Sequence, residues 1–186
     1  KGVKFQNVPP VNGRPFTAED VVYSFNRIRS DHPRFARRSL FVDVASIKAL
    51  DPYTVQFTLK EPLGPFLFYV ANQYNKIVAK EVVDKFTDLQ PKESAIGTGP
   101  YILKTVRDPF FFELTRNPEY FDKGRPNLDV VRMQVIEDDI TRAAALRTSQ
   151  IDVAVRVPPS AYETVKANPS LNWDVEAAPW ATQMLL

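Results

Sequence analysis

The only histidine of the chain, His32, is the first residue to consider for chemistry, because histidine supplies most general bases in enzymes. It lies in a polar stretch between Asp31 and Pro33, and a catalytic role would require Asp31 to orient its imidazole. We favour a solvated loop histidine instead, since adjacent side chains rarely point at each other. The sequence also contains no nucleophile elbow, phosphate-binding loop or dinucleotide fingerprint. The histidine therefore gives no support to an enzyme.

The acidic run Glu137-Asp138-Asp139 is the second group that could do chemistry, because clustered carboxylates can hold a hard cation. The same residues can cap the helix that follows and complement its dipole. We favour capping, because calcium loops space their ligands at alternate positions and include a glycine. With no cysteine and a single loop histidine, no transition-metal site and no cofactor are expected from the side chains of this chain.

Arg156 directly follows the apolar residues 153–155, which have the pattern of a buried strand. In open α/β sheets, ligands bind beyond the carboxyl ends of strands, so an arginine at this point is well placed to meet a ligand. An exposed arginine at a strand exit fits the pattern equally well. Both readings stay open from the residues alone.

Aromatic residues form a third group that could line a ligand cleft. The run at 110–112 alternates as a strand requires, so we expect two of its three phenylalanines to be core residues. Trp180 is a better ligand candidate, because it lies in the connection Ala-Ala-Pro-Trp at 177–180 and not in the middle of a strand.

Local patterns predict the elements that must position these residues. Thr17 is a suitable N-cap, Asp20 lies at the reciprocal capping position, and apolar residues recur at helical spacing, so the spacing predicts a helix over 18–29. The other predicted helices cover 65–71, 80–86, a stretch capped by Asp138 or Asp139, and 159–167. Alternation on both sides of residues 51–53 predicts a β-hairpin. The other predicted strands cover 77–79, 101–106, 110–115, 130–136, 153–155, 171–177 and 182–186.

The composition restricts the class of protein. The chain of 186 residues is 44% hydrophobic and 25% charged, which is ordinary for a globular protein, and no apolar run approaches the roughly 18 residues that a membrane helix needs. A net charge of +2 is too small to argue for nucleic-acid binding. Alternating strands and helices predict an α/β fold. Residues 87–96 are polar and contain Pro91, so we interpret them as a crossing between two domains.

Three local motifs occur in a fixed order along the chain. They are Pro-Phe-Thr-Ala-Glu-Asp-Val-Val at 15–22, Gly-Thr-Gly-Pro-Tyr at 97–101, and Arg-Asn-Pro-Glu-Tyr-Phe at 116–121. In this order and spacing the sequence resembles the family 5 extracytoplasmic solute-binding proteins of peptide, oligopeptide and nickel ABC importers. The resemblance extends from the first residue to the last.

The resemblance implies a periplasmic-binding-protein-like fold of type II, an α/β fold with a mixed sheet, flanking helices and a smaller α+β domain. It assigns residues 1–90 to part of the smaller second domain and residues 91–186 to part of the large first domain. It also implies that the opening strands of the first domain would precede Lys1 and that a third domain would follow Leu186, so that the fold is incomplete.

The resemblance further implies where a ligand would bind, and it makes no residue catalytic or metal-ligating. The residues that it places at the cleft are Arg34, Arg37, Asn72, Gln73, Tyr74, Lys76, Val155, Arg156, Val157, Ala178, Trp180, Gln183 and Leu185.

The implied function is binding without chemistry. Such a protein takes up a peptide or another small solute outside the cytoplasmic membrane and docks on the permease subunits of an ABC transporter, either in the periplasm or lipid-anchored at the cell exterior. Within the family, binders of nickel chelates, opines or sugars remain alternatives. From other classes, an α/β hydrolase and a purely structural or protein-interaction domain are the rival hypotheses.

Overall fold

A computed structural model describes residues 2–31, 35, 37–87, 89–107, 111–155 and 157–172. Contacts divide the chain into two compact units, Lys1–Met133 and Gln134–Leu186. Residues on both sides of the predicted crossing near residue 90 lie in the first unit, so the division by contacts does not coincide with the predicted domain boundary. The assignment of 1–90 and 91–186 to two domains stays a prediction. In the described part of the chain, no helix combines the length and apolar character needed to cross a membrane.

Helix α1 spans Ala18–Arg29, as the capping pattern predicted. The Asp20 carboxylate accepts a hydrogen bond from the backbone N–H of Thr17 at 2.9 Å, which is the reciprocal bond of a capping box. The apolar side of α1 contributes Phe25, whose ring meets those of Phe41 and Phe57 edge-on with centroids 5.3 Å apart in both pairs. The helix is therefore fixed by its cap at one end and by aromatic packing along one side.

The β-hairpin is formed by β1 (Val44–Asp51) and β2 (Thr54–Leu59), which pair antiparallel. Its turn is stabilised locally, because the Asp51 carboxylate accepts from the backbone N–H of Tyr53 at 2.7 Å. The hairpin and α1 share one core whose buried members are Phe25, Phe41, Val44 and Ile47. The hairpin prediction is confirmed.

Two short helices follow, α2 (Phe66–Val70) and α3 (Lys80–Phe86), and both were predicted. The predicted strand at 77–79 between them is wrong, since this segment is irregular. Its backbone is satisfied by a side chain instead: Val78 N–H donates to the Ser24 hydroxyl at 2.9 Å. A second core, with Phe5, Val11, Ala79 and Val82 buried, joins α3 to the start of the chain.

Three strands form the second sheet in the order β3 (Tyr101–Arg107), β4 (Phe111–Arg116) and β5 (Val130–Gln134), with β3 and β4 antiparallel. These strands were predicted to within one or two residues where the structure describes them.

The second unit contains α4 (Asp139–Arg147) and α5 (Pro159–Lys166), which pack against each other. Asp138 is the N-cap of α4 and accepts from the backbone N–H of Thr141 at 2.7 Å. The Thr141 hydroxyl also donates to Asp138, and this bond together with the backbone bond lowers the pKa of the Asp138 carboxyl. The acidic run therefore caps a helix, as favoured above.

The predicted strand at 153–155 is wrong. Val153 and Val155 are 76% and 77% exposed, and none of the described strands lies beside them to accept their backbone hydrogen bonds. Leu171 and Asn172 are not in a strand either, while residues 173–177 and the predicted strand 182–186 lie outside the described residues.

Candidate functional site

Three of the predicted cleft residues come together in the first unit. The Arg37 guanidinium carbon lies 4.0 Å from the centre of the Tyr74 ring, which is a stacked cation–π contact. Arg37 Nη1 also donates a hydrogen bond to Asn72 Oδ1 at 3.3 Å. We name Arg37, Asn72 and Tyr74 the arginine cluster. The contact joins positions 35 residues apart in the sequence.

The loop that carries Asn72 and Tyr74 is held by its own hydrogen bonds. Asn72 Oδ1 accepts from the backbone N–H of Tyr74 at 3.1 Å, which forms an Asx-turn. The buried Asn75 donates from Nδ2 to the Tyr69 carbonyl at 2.6 Å, which ties the loop to α2. The Tyr74 ring is thus placed for Arg37 by the backbone, even though it is 63% exposed.

The charge on Arg37 has no partner carboxylate among the described residues, because its side-chain contacts are those with Asn72 and Tyr74. Its neighbour differs in this respect, since Arg38 forms an ion pair with Asp31. Gln73 and Lys76 are exposed in the same loop. The arginine cluster therefore carries a positive charge on a half-buried arginine.

The other predicted ligand-binding residues are not joined to a site in the described structure. Val155 is exposed and Val157 half-buried, and both lie in the second unit. The remaining predicted positions, together with His32, lie outside the described residues: Arg34, Arg156, Ala178, Trp180, Gln183 and Leu185.

A second charged group was missed by sequence reasoning. Arg14 donates to Asp20 and to Glu81, which links the segment before α1 to α1 and α3. These hydrogen bonds lower the pKa of the Glu81 carboxyl and raise the pKa of Arg14. A shallow depression of about 550 Å³ lies over this network, but its arginine is already paired with two carboxylates. We therefore assign the group to stability and not to ligand binding.

The motifs at 97–101 and 116–121 also form hydrogen bonds within the protein that stabilise its fold. Asn117 is 3% exposed, and its Nδ2 donates to the Gly99 carbonyl at 3.1 Å while its Oδ1 accepts from Glu119 N–H at 3.1 Å. Gln6 is equally buried and donates from Nε2 to the Tyr101 carbonyl at 2.6 Å. These hydrogen bonds join the two motifs to each other and to the start of the chain.

No metal centre is indicated by the described side chains, since their aspartate and glutamate residues form no group of three that could hold an ion. In the acidic run at 137–139, Asp138 caps α4, and Asp139 forms an ion pair with Arg142.

Comparison with known proteins identifies the family that the three sequence motifs resemble. The model of the middle part of bacterial extracellular solute-binding proteins, family 5, matches residues 1–186. The glutathione-binding protein GsiB of Escherichia coli K12 is 30% identical over 161 residues, which cover 85% of this chain and 30% of that protein.

Two solved structures share the fold. The periplasmic binding protein AgaA of A. tumefaciens R10, in complex with agropinic acid, superposes with a TM-score of 0.81 at 25% identity, covering 91% of this chain and 33% of AgaA. The ABC transporter-associated periplasmic binding protein DppA of Helicobacter pylori, in complex with the peptide STSA, gives 0.79 at 28% identity, covering 91% and 36%. The chain thus spans about a third of the length of the relatives it matches.

These findings confirm the periplasmic-binding-protein-like α/β fold class and the resemblance carried by the three motifs. The chain belongs to family 5 of the bacterial extracellular solute-binding proteins, which is a family of binding proteins and not of enzymes.

Proposed function

We propose that the protein carrying this chain is the solute-binding component of an ABC importer that takes up peptides or similar small solutes. The observation that carries the proposal is the family match over all 186 residues. The proteins that it resembles include one that binds glutathione, one solved with a peptide and one solved with an opine-type acid. Each of these solutes is small, polar and carries at least one carboxylate.

The proposed mechanism is binding and release without a chemical step. In this class, two lobes close on the solute by a hinge motion, and the closed form docks on the permease. We assign residues 1–90 to the smaller second domain and 91–186 to the large first domain, with ligand contacts at the positions named in the sequence analysis. The proposed location is outside the cytoplasmic membrane, in the periplasm or lipid-anchored, which agrees with the extracellular description of the family.

The arginine cluster supports a binding role in the first unit. A stacked arginine is a fixed donor set, and fixed polar groups in a cleft give a small-molecule site its specificity. Binders of nickel chelates, opines or sugars are the alternatives within the family. The opine alternative has a specific observation behind it, namely the similarity to AgaA.

The test uses the full-length gene product that contains this sequence. Thermal unfolding is followed with a panel of peptides of two to nine residues, glutathione and agropinic acid, and hits are titrated by calorimetry. A ligand of the folded protein at a hundred times its Kd should stabilise the protein by about 2.7 kcal/mol. Peptides recovered after incubation and identified by mass spectrometry should be intact. Cleaved peptides would favour the hydrolase, and a panel without any binder would contradict the proposed function.

A further inference from the structure

We propose that Asn12 is a site of spontaneous deamidation and that the fold suppresses the reaction by holding the attacking nitrogen of Gly13 on the Gln6 carbonyl. The inference concerns a chemical modification of the turn that carries Arg14. It does not depend on the proposed function.

The sequence supplies the reacting groups at one place. Asn12 is the only asparagine of the chain that is followed by a glycine. Glycine has no Cβ, so its backbone nitrogen can approach the side-chain amide carbon of the preceding asparagine with little hindrance. Asn12 is exposed, and the pair forms a turn in which both residues have positive φ, 49° and 71°, a conformation that Asn-Gly pairs adopt readily. The amide is therefore open to water.

The reaction needs no partner other than water. The Gly13 backbone nitrogen gives up its proton and bonds to Cγ of Asn12, and the side-chain amide leaves as ammonia. The product is a five-membered succinimide ring. Water then breaks one of the two C–N bonds of the ring, which gives either aspartate or isoaspartate at position 12. Isoaspartate continues the main chain through its Cβ and Cγ, so the backbone gains one carbon atom.

The folded protein holds both reacting groups in hydrogen bonds. Gly13 N–H donates to the Gln6 carbonyl at 3.2 Å, and Asn12 Nδ2 donates to the Pro10 carbonyl at 3.1 Å. Because the attack requires a Gly13 nitrogen without its proton, the bond to Gln6 must break first. The reaction therefore proceeds from an opened turn, and its rate depends on the free energy of that opening.

Gln6 is firmly anchored, which makes the opening unfavourable. It is 4% exposed, its Nε2 donates to the Tyr101 carbonyl at 2.6 Å, and its backbone N–H donates to the Gly97 carbonyl at 2.9 Å. The motif at 97–101 thus holds the residue that restrains Gly13. An exposed loop without such an anchor would open more easily.

The isoaspartate product should disturb the ion pairs of Arg14. There is little room for a longer backbone, because a Cβ built on Gly13 would lie 3.3 Å from Glu119 Oε2. Arg14 follows directly, and its guanidinium must reach Asp20 and Glu81 at 2.7 and 2.8 Å. An added carbon before Gly13 displaces Arg14 from both carboxylates. The aspartate product keeps the original backbone and should leave these ion pairs intact.

The test compares deamidation at Asn12 in the full-length gene product when it is folded and when it is unfolded in guanidinium chloride. Both samples are kept at the same mildly alkaline pH, and peptide mapping by mass spectrometry follows the conversion. Asn12 should react at least about tenfold more slowly in the folded protein, because an opening free energy of only about 1.4 kcal/mol gives a factor of ten. Asn7, which precedes a valine, serves as an internal reference and should react much more slowly than Asn12 in the unfolded sample.

A matched pair of variants tests the anchor. Gln6→Ala keeps the backbone carbonyl but removes the bond to Tyr101, so the folded variant should deamidate at Asn12 several-fold faster than the wild type. Asn75→Ala is the control, since it removes another buried amide whose Nδ2 donates to a backbone carbonyl at 2.6 Å, that of Tyr69. It should leave the rate at Asn12 near the wild-type value. Circular dichroism verifies that each variant is folded.

The two products are compared within one sample. Protein that has partly reacted while unfolded is refolded and exposed to a protease, and electron-transfer fragmentation distinguishes aspartate from isoaspartate in the surviving material. The isoaspartate form should be depleted relative to the aspartate form, which carries the same charge. Equal survival of the two forms would show that the added backbone carbon does not disturb Arg14.

The outcomes decide each part of the proposal. Equal rates in folded and unfolded protein overturn the suppression by the fold, and an Asn12 that does not react even when unfolded overturns the site itself. A Gln6→Ala rate no higher than that of Asn75→Ala overturns the role of the anchor. If a variant does not fold or the reacted protein does not refold, the comparison of folded and unfolded wild type decides alone.

Discussion

The guanidinium of Arg14 meets the carboxylate of Asp20 in a two-pronged ion pair, with Nη1 donating to Oδ2 at 3.0 Å and Nη2 to Oδ1 at 2.7 Å. The Asp20 side chain is only 6% exposed, so this carboxylate depends on the partners that the protein supplies. The backbone N–H of Thr17 is one partner of the Asp20 carboxylate, and Arg14 is its charged partner. The same arginine donates to Glu81 at 2.8 Å, so a single side chain links two helices.

Replacing Arg14 by alanine should destabilise the protein. The substitution leaves a buried carboxylate at Asp20 with its charge unpaired, and the expected loss is about 2–3 kcal/mol in the free energy of unfolding. Chemical denaturation of the full-length protein measures it. Arg116→Ala is the matched control, because its partner Asp129 is 87% exposed and such surface pairs contribute about 1 kcal/mol or less. Equal effects of the two substitutions would contradict the role assigned to Arg14.

The ion pair with Glu81 should make stability depend on pH. The Arg14 hydrogen bond lowers the pKa of Glu81 in the folded protein below its value in the unfolded chain. Its contribution is therefore fully present above the unfolded pKa of about 4.3 and is lost as the pH falls through the folded pKa. The difference in unfolding free energy between wild type and Glu81→Gln should shrink between pH 6 and pH 3. In an Arg14→Ala background this pH-dependent difference should largely disappear, and its persistence would point to another cause.

Asn117 should be a structural residue of the family motif. Asn117→Ala removes the donor to the Gly99 carbonyl and the acceptor of Glu119 N–H, and the buried groups left behind should cost about 1–3 kcal/mol. Asn127→Ala, the same change at an exposed loop position, should stay within about half a kcal/mol. Chemical denaturation of both variants measures the two losses in the free energy of unfolding. An Asn117→Ala variant as stable as the control would show that these bonds do not matter.

Local features were predictable from the sequence because their partners are near in the chain. The capping box of α1 needs only Thr17 and Asp20, and the hairpin turn needs Asp51 and its two successors. The pairing of Arg14 with Glu81 spans 67 residues and has no local signature, so nothing in the pattern around either residue indicates it. Arg37, Asn72 and Tyr74 were named as cleft residues by family resemblance and not by any local pattern, and the contact between Arg37 and Asn72 joins positions 35 residues apart.

The wrong strand predictions share a physical reason. An apolar stretch of three residues indicates burial but does not say which group will satisfy its backbone. At Val78 that group is a serine hydroxyl from α1, and at Val153 and Val155 the side chains stay exposed in the described structure. Strand formation depends on a neighbouring strand, and that neighbour cannot be read from the segment itself.

Ser24→Ala tests whether the Ser24 hydroxyl takes the place of a neighbouring strand in satisfying the backbone of residues 77–79. Ser24 is 1% exposed; its Oγ accepts from Val78 N–H at 2.9 Å and donates to the Asp20 carbonyl at 2.7 Å. Alanine would leave the Val78 N–H without its acceptor, and the expected loss is about 1–3 kcal/mol. The Val78 amide should also exchange with solvent faster, which hydrogen exchange would detect. Ser39→Ala, at an exposed position, should change neither quantity. If Ser24→Ala unfolds like the wild type and its Val78 amide stays protected, the segment is held by packing on Val82 and Phe5 and not by the serine.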